Sequence, residues 1–144
     1  MGRDREEMLK KVPIFSELGR RDLERLSKLM VPRAVKAGEV IIKEGDQAAG
    51  FFVISSGKVE VVRGADSSSP QVLNTLGTGD FFGEMALFEG FPRNATVRAV
   101  DDVECLAMTR WDFTAEMKNH PEIAVSMLPV LVRRLRDVDA HLHE

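Results

Sequence analysis

The glycines of this 144-residue chain are unevenly placed. Two of the 11, Gly2 and Gly19, precede residue 30; the other nine run from Gly38 to Gly90, and none follows. Glycine supplies the tight turns that short strands need and weakens helix interiors. The partition predicts helix, then a turn-rich β region, then strands leading back to helix. In the middle, EVIIKEGD, FFVISSG, KVEVVRG and QVLNTLG are rich in β-branched or aromatic residues and bounded by Gly, Asp or Ser, as short strands are. ISSGK reads as a tight hairpin turn between two of them, and GADSSSPQ as a polar connection. TVRAV and VECLAM add two strands from Thr96 onward. Strands this closely spaced indicate an antiparallel sandwich or barrel.

The flanks read as helix. In LGRRDLERLSKLM, Leu23, Leu26, Leu29 and Met30 recur at helical spacing. Pro13 and Gly19 mark a turn before it, and Pro32 is expected to end it. At the other end, WDFTAEMKNH is a short helix stopping near Pro121. Beyond it Leu128, Leu131, Leu135, Val138 and Leu142 form a narrow heptad-like seam. Pro129 lies early in that segment and should kink one helix or begin another. The expected organisation is one domain over 1–144: a helical part at 1–31, the β region at 32–109 and C-terminal helices at 110–144.

A 16.1 kDa chain with 44% hydrophobic and 30% charged residues fits one soluble domain with a real core. The net charge of -3 argues against a general nucleic-acid coat and a polybasic membrane surface. No apolar run approaches a membrane span, and MGRDREEMLKK has no signal-peptide core, so a cytoplasmic location is expected. The single Cys105 excludes an internal disulfide and, within VECLAM, reads as a buried inert thiol.

The segment FFGEMALFEGFPRNATVRA, Phe81 to Ala99, carries the chemistry. Ala95, Val97 and Ala99 share one strand parity, which usually points inward, and Arg93 joins it one step back. A buried guanidinium costs several kcal/mol unless paired. One partner is Glu84, in an internal salt bridge; the other is an anionic ligand inside the barrel. GDFFGEMAL favours the ligand: Gly79 and Asp80 make a turn, Gly83 allows close backbone approach, and EMAL favours a short helix whose first N–H groups suit phosphate. An arginine fork takes two phosphate oxygens, and a carboxylate at Glu84 suits a sugar hydroxyl. Together they match a sugar phosphate carrying one negative charge.

These residues resemble the cyclic-nucleotide-binding domain shared by bacterial catabolite-activator-type regulators, protein kinase A regulatory subunits and cyclic-nucleotide-gated channels. VPIFSEL is similar to the family's leading turn, GEVIIKEGD and FFVISSGKVEVV to its early strands, and FGE-x-AL followed by PR-x-AT to its phosphate-binding cassette. The resemblance implies a mostly β fold with flanking helices: an antiparallel, jelly-roll-like β-roll of the double-stranded β-helix kind between an N-terminal helix and C-terminal helices. It implies that Arg93 pairs with the cyclic phosphate and Glu84 accepts from the ribose 2′-hydroxyl. The backbone of Gly83, Ala86 and Leu87, with Asn94 and Ala95, would line the phosphate side, while Phe82 packs. In the family, Thr or Ser at the position of Asn94 favours cGMP and Ala is common in cAMP binders. Asn is neither, and its opposite-face parity makes a solvated loop residue an equal alternative; cAMP is preferred here as the commoner ligand among soluble bacterial-looking members.

The last helix is expected to cover the base. No Ser or Thr lies between Pro129 and Leu142 to bond adenine; Arg133, Arg134 and Arg136 stand there, and one would stack on the purine. Alternatively they are solvated helix charges, with Arg133 and Asp137 an i,i+4 pair. Ligand contacts to cassette and helix would shift the helix toward a closed state. The leucine seam would then pair with a second chain or pack on its own roll. No helix-turn-helix, kinase segment or channel span lies in the 144 residues, so an effector protein or domain is expected. Neither cofactor nor metal is expected. His120, His141 and His143 lie in the C-terminal region, away from the cassette, so hydrolysis of the nucleotide lacks its chemistry. A degenerate roll serving only protein interaction is the alternative.

Overall fold

The structure, a computed structural model, describes residues 2–47, 50–88 and 92–142. It divides into two compact units, residues 30–112 and residues 1–29 with 113–144.

The first unit holds eight strands among the described residues: β1 (Val31–Val35), β2 (Val40–Ile42), β3 (Gly50–Ser56), β4 (Val59–Arg63), β5 (Gln71–Leu76), β6 (Phe81–Phe82), β7 (Thr96–Ala99) and β8 (Val103–Thr109). They make two four-stranded sheets, ordered β1-β8-β3-β6 and β2-β7-β4-β5. Every described pairing is antiparallel. Apart from the β4–β5 pair, each strand is followed by one in the opposite sheet, which makes the pair of sheets a β-roll. Inward-facing Val35, Phe52, Ile54, Val59, Phe82, Val97, Ala99, Val103 and Cys105 form its core.

Three sequence expectations change here. Pro32 does not follow a helix directly: the helix ends at Ser27, and Pro32 sits inside β1, opposite Leu106. An edge strand tolerates a residue with no N–H to give. ISSGK is not a hairpin, because β3 and β4 belong to different sheets. Its Gly57, at φ +96°, carries the chain from one sheet to the other, and a Cβ there would collide with the Asp102 carbonyl oxygen and press on Val103. Thr96, on the parity opposite to the inward-pointing Ala95, Val97 and Ala99, is nonetheless buried. Its hydroxyl accepts the Glu44 N–H at 3.0 Å, which satisfies the buried oxygen. Arg98, on the same parity, reaches Glu60 at 2.6 Å.

The second unit holds α1 (Gly2–Lys10), a 3-10 turn (Pro13–Phe15), α2 (Arg20–Ser27), most of α3 (Arg110–Asn119) and α4 (Glu122–Leu142). Phe15 and Phe113 meet at a centroid distance of 6.0 Å, tilted by 57°. Arg25 bridges Asp22 at 2.7 Å and Glu122 at 3.4 Å, tying α2 to the start of α4. Pro129 lies inside α4, which continues through it. Val125, whose carbonyl loses its i+4 donor to the proline, lies on an exposed part of the helix where solvent can hydrate it. The buried stripe of α4 is Ile123, Met127 and Val130, spaced by four and three. The heptad-like seam is a different face: Leu128, Leu135 and Val138 are 55%, 70% and 57% exposed. The side chain of Leu142 lies outside the described residues, as do those of His141 and His143. Among the described residues no helix is long and apolar enough to cross a membrane.

Candidate functional site

Arg93 follows Pro92, which bridges Gln47, and its backbone is fixed on both sides: its N–H donates to the Asp46 carbonyl, and its own carbonyl accepts from the Gly45 N–H, both at 2.9 Å. The side chain is half-buried. Its Nη2 donates to the Gly50 carbonyl at 2.7 Å. Burial holds the guanidinium below its ordinary pKa, and the Glu84 carboxylate raises it part of the way back; an arginine remains charged under such a shift. The guanidinium is thus half-buried as the sequence reading expected, although Arg93 precedes β7 rather than lying in it, and Glu84 acts on it electrostatically.

Gly83 packs directly under that guanidinium. Its φ is +83°, and a Cβ would lie 2.7 Å from the Gly50 carbonyl oxygen and 2.9 Å from Arg93 Nη2. Only glycine fits both the left-handed backbone and the space. The following EMAL segment forms the expected short helix as a single 3-10 turn, Glu84–Leu87. The Ala86 N–H is already bonded to the Gly83 carbonyl at 3.0 Å.

A chamber of about 450 Å³ opens beside these groups, lined by Ile42, Val61, Phe82, Gly83, Met85, Ala86, Pro92, Arg93, Asn94, Ala95 and Val97. Its volume and its apolar walls with a few converging polar groups are those of a small-ligand site. Gly83, Ala86, Arg93, Asn94 and Ala95 are brought together as expected. Glu84 and Leu87 are not on its lining, and Leu87 is buried in the core. Phe82 packs as expected, stacked on Phe52 at 5.0 Å and 14°, but it also forms part of the wall. Ile42, Val61 and Val97 were not singled out beforehand as wall residues. Their inward parity on β2, β4 and β7 was the available signal.

Arg133, Arg134 and Arg136 lie on α4, in the other unit. Arg133 reaches Glu17 at 3.3 Å, so its ion pair is with the segment before α2, not with Asp137 one turn on. Cys105 is buried, and burial raises its thiol pKa against a smaller opposing effect of Arg33. No group of three or more potential metal ligands occurs among the described residues.

Comparison with known proteins identifies the family. The family model described as the cyclic nucleotide-binding domain matches residues 32–120. The cyclic AMP receptor protein of Thermus thermophilus is 32% identical over 134 residues, covering 93% of this chain and 62% of that protein. The chain thus spans less than two thirds of that relative's length. The N-terminal domain of a transcriptional regulator from Streptomyces coelicolor superposes with a TM-score of 0.85 at 28% identity, covering 94% of both chains. The regulatory domain of Toxoplasma gondii PKA, solved with cAMP, superposes with a TM-score of 0.72 at 29% identity over 79% of this chain and 43% of that one. In fold, cassette and match alike, the chain belongs to the cyclic nucleotide-binding domain family.

Proposed function

We propose that the chain is a regulatory receptor for a cyclic nucleotide, cAMP in preference to cGMP, bound in the chamber beside Arg93. The observation that carries this reading is a half-buried, charged guanidinium facing an apolar-walled space of about 450 Å³. Burial holds the guanidinium below its ordinary pKa despite the Glu84 carboxylate, so its charge is only partly compensated, and a cyclic phosphate supplies one negative charge in the shape the arginine fork accepts. Gly83 and Ala86 pass close to the phosphate, and Asn94 and Ala95 close its far side. Leu87 supports the turn from the core. Glu84 takes the ribose 2′-hydroxyl after its side chain turns toward the chamber. The cAMP preference is supported by the Thermus relative's name and the cAMP-bound Toxoplasma structure.

One of Arg133, Arg134 or Arg136 stacks on the base when α4 moves, and the Arg133–Glu17 pair opens if Arg133 is the one. That movement is the signal, passed to an effector protein or domain, and the exposed α4 seam pairs with a second copy. The protein acts in the cytoplasm, holds no cofactor and does not hydrolyse its ligand: incubation with cAMP yields no AMP.

Thermal unfolding with each nucleotide, in the wild type and Arg93→Ala, tests the reading. Ligand at about a hundred times its Kd adds roughly 2.7 kcal/mol, a melting shift of several degrees for a chain of this size. The wild type shifts, more for cAMP, and Arg93→Ala scarcely does. An equal shift in the variant would make Arg93 structural only. A second reading, a roll that serves protein contacts alone, is favoured by the exposed apolar face of α4; calorimetry showing no heat with either nucleotide would select it.

A further inference from the structure

Arg93 borders two chambers. Besides the larger one, a second of about 200 Å³ is lined by Arg33, Ile41, Ile42, Lys43, Asp46, Gln47, Gly50, Phe52 and Arg93. It is smaller than ordinary nucleotide-sized pockets. Three of its lining residues are cationic and one, Asp46, is a carboxylate. Arg33 lies over the Phe52 ring at 5.6 Å, and neither Arg33 nor Lys43 makes an ion pair among the described residues. Asp46 lines the chamber and the Glu84 carboxylate acts on Arg93, so two of the three charges are offset and an excess of one remains. Ile41, Ile42 and Phe52 supply its apolar lining, while Arg33 and Lys43 are exposed side chains.

We propose that this rear chamber is an anion-binding site for a small free oxyanion such as inorganic phosphate, held by Arg33, Lys43 and the rear edge of the Arg93 guanidinium. Cations of like sign around a small space repel one another, and an oxyanion between them removes that repulsion. Guanidinium donors match its oxygens in pairs, and Gln47 offers an amide donor beside them. Asp46 weakens the site without cancelling it. Because the same guanidinium faces the larger chamber, the oxyanion and a cyclic phosphate draw on one charge. Their binding is therefore antagonistic, and by linkage each weakens the other by the same factor.

The site itself does not depend on the cyclic-nucleotide reading; only the antagonism does. The test is thermal unfolding of the chain titrated with sodium phosphate or, at matched ionic strength, sodium chloride, in the wild type and Arg33→Gln/Lys43→Gln. Phosphate should raise the wild-type Tm beyond chloride and weaken apparent cAMP affinity several-fold. The double variant should lose both effects and keep its cAMP response. Lys43→Gln alone, a change at an exposed side chain, should lose part of the phosphate response should the double variant fold poorly. Phosphate also stabilises proteins generally by exclusion from their surface, an effect common to both proteins. Equal increments in wild type and variant would overturn the proposal, as would equality of phosphate and chloride. A wild type that responds to phosphate but not to cAMP would uphold the rear site and sink the receptor reading instead.

Discussion

Arg93 and Gly83 set the chemistry at the scale of single residues, and they are coupled. The Gly83 Cα lies where any side chain would push on both the Gly50 carbonyl and the guanidinium bonded to it. Gly83→Ala should therefore destabilise the fold by about 1–3 kcal/mol through its left-handed backbone and the clash, read by urea unfolding, and should also abolish the cAMP-induced melting shift. Loss of stability with the shift retained would show that the guanidinium does not need this floor. Cys105 offers an independent check of the core. Burial raises its thiol pKa, so the native state keeps its proton after the unfolded thiol has lost one. That contribution is fully present below the ordinary thiol value of about 8.5 and is lost as pH rises through the raised native one. Stability measured against pH should accordingly fall more steeply on the alkaline side in the wild type than in Cys105→Ala. Parallel curves would place the thiol in contact with water.

Elements show where sequence reasoning succeeded and where it failed. The inward position of Arg93 matched the parity reading, yet Arg93 precedes β7 and the opposite-parity Thr96 is buried too, so the backbone bonds to Gly45 and Asp46 rather than a strand period hold it there. β1 was missed because Pro32 reads as a stop, and only the finished sheet reveals that its strand lies on an edge. The ISSGK turn was legible as a turn but not as a crossing, since local residues do not record which strands later pair. On α4 two apolar stripes share one helical period, and the longer one in sequence is not the buried one. Substitution separates them. Met127, 1% exposed, should cost about 2–5 kcal/mol as Met127→Ala in chemical unfolding. Leu135→Ala, at the 70%-exposed position, should change the stability of a dilute monomer by no more than about 0.5 kcal/mol. Comparable losses would mean that the exposed stripe is covered by the chain itself.

For the whole molecule, the exposed α4 stripe makes association the quantity to measure. Sedimentation of the wild type should show a concentration-dependent dimer, and Leu128→Glu/Leu135→Glu should sediment as a monomer while keeping its melting response to cAMP. A wild type monomeric at every concentration would remove α4 as a self-association surface. The β unit has its own constraint, at the point where the chain leaves one sheet for the other. Gly57 has no room for a side chain on the Asp102 and Val103 side and holds a backbone angle that suits glycine. In a library of all single substitutions selected for expression, that codon should come through almost unvaried. Engineers wishing to insert a reporter or open new termini should look instead to the serine-rich link after Arg63 and leave the crossing alone.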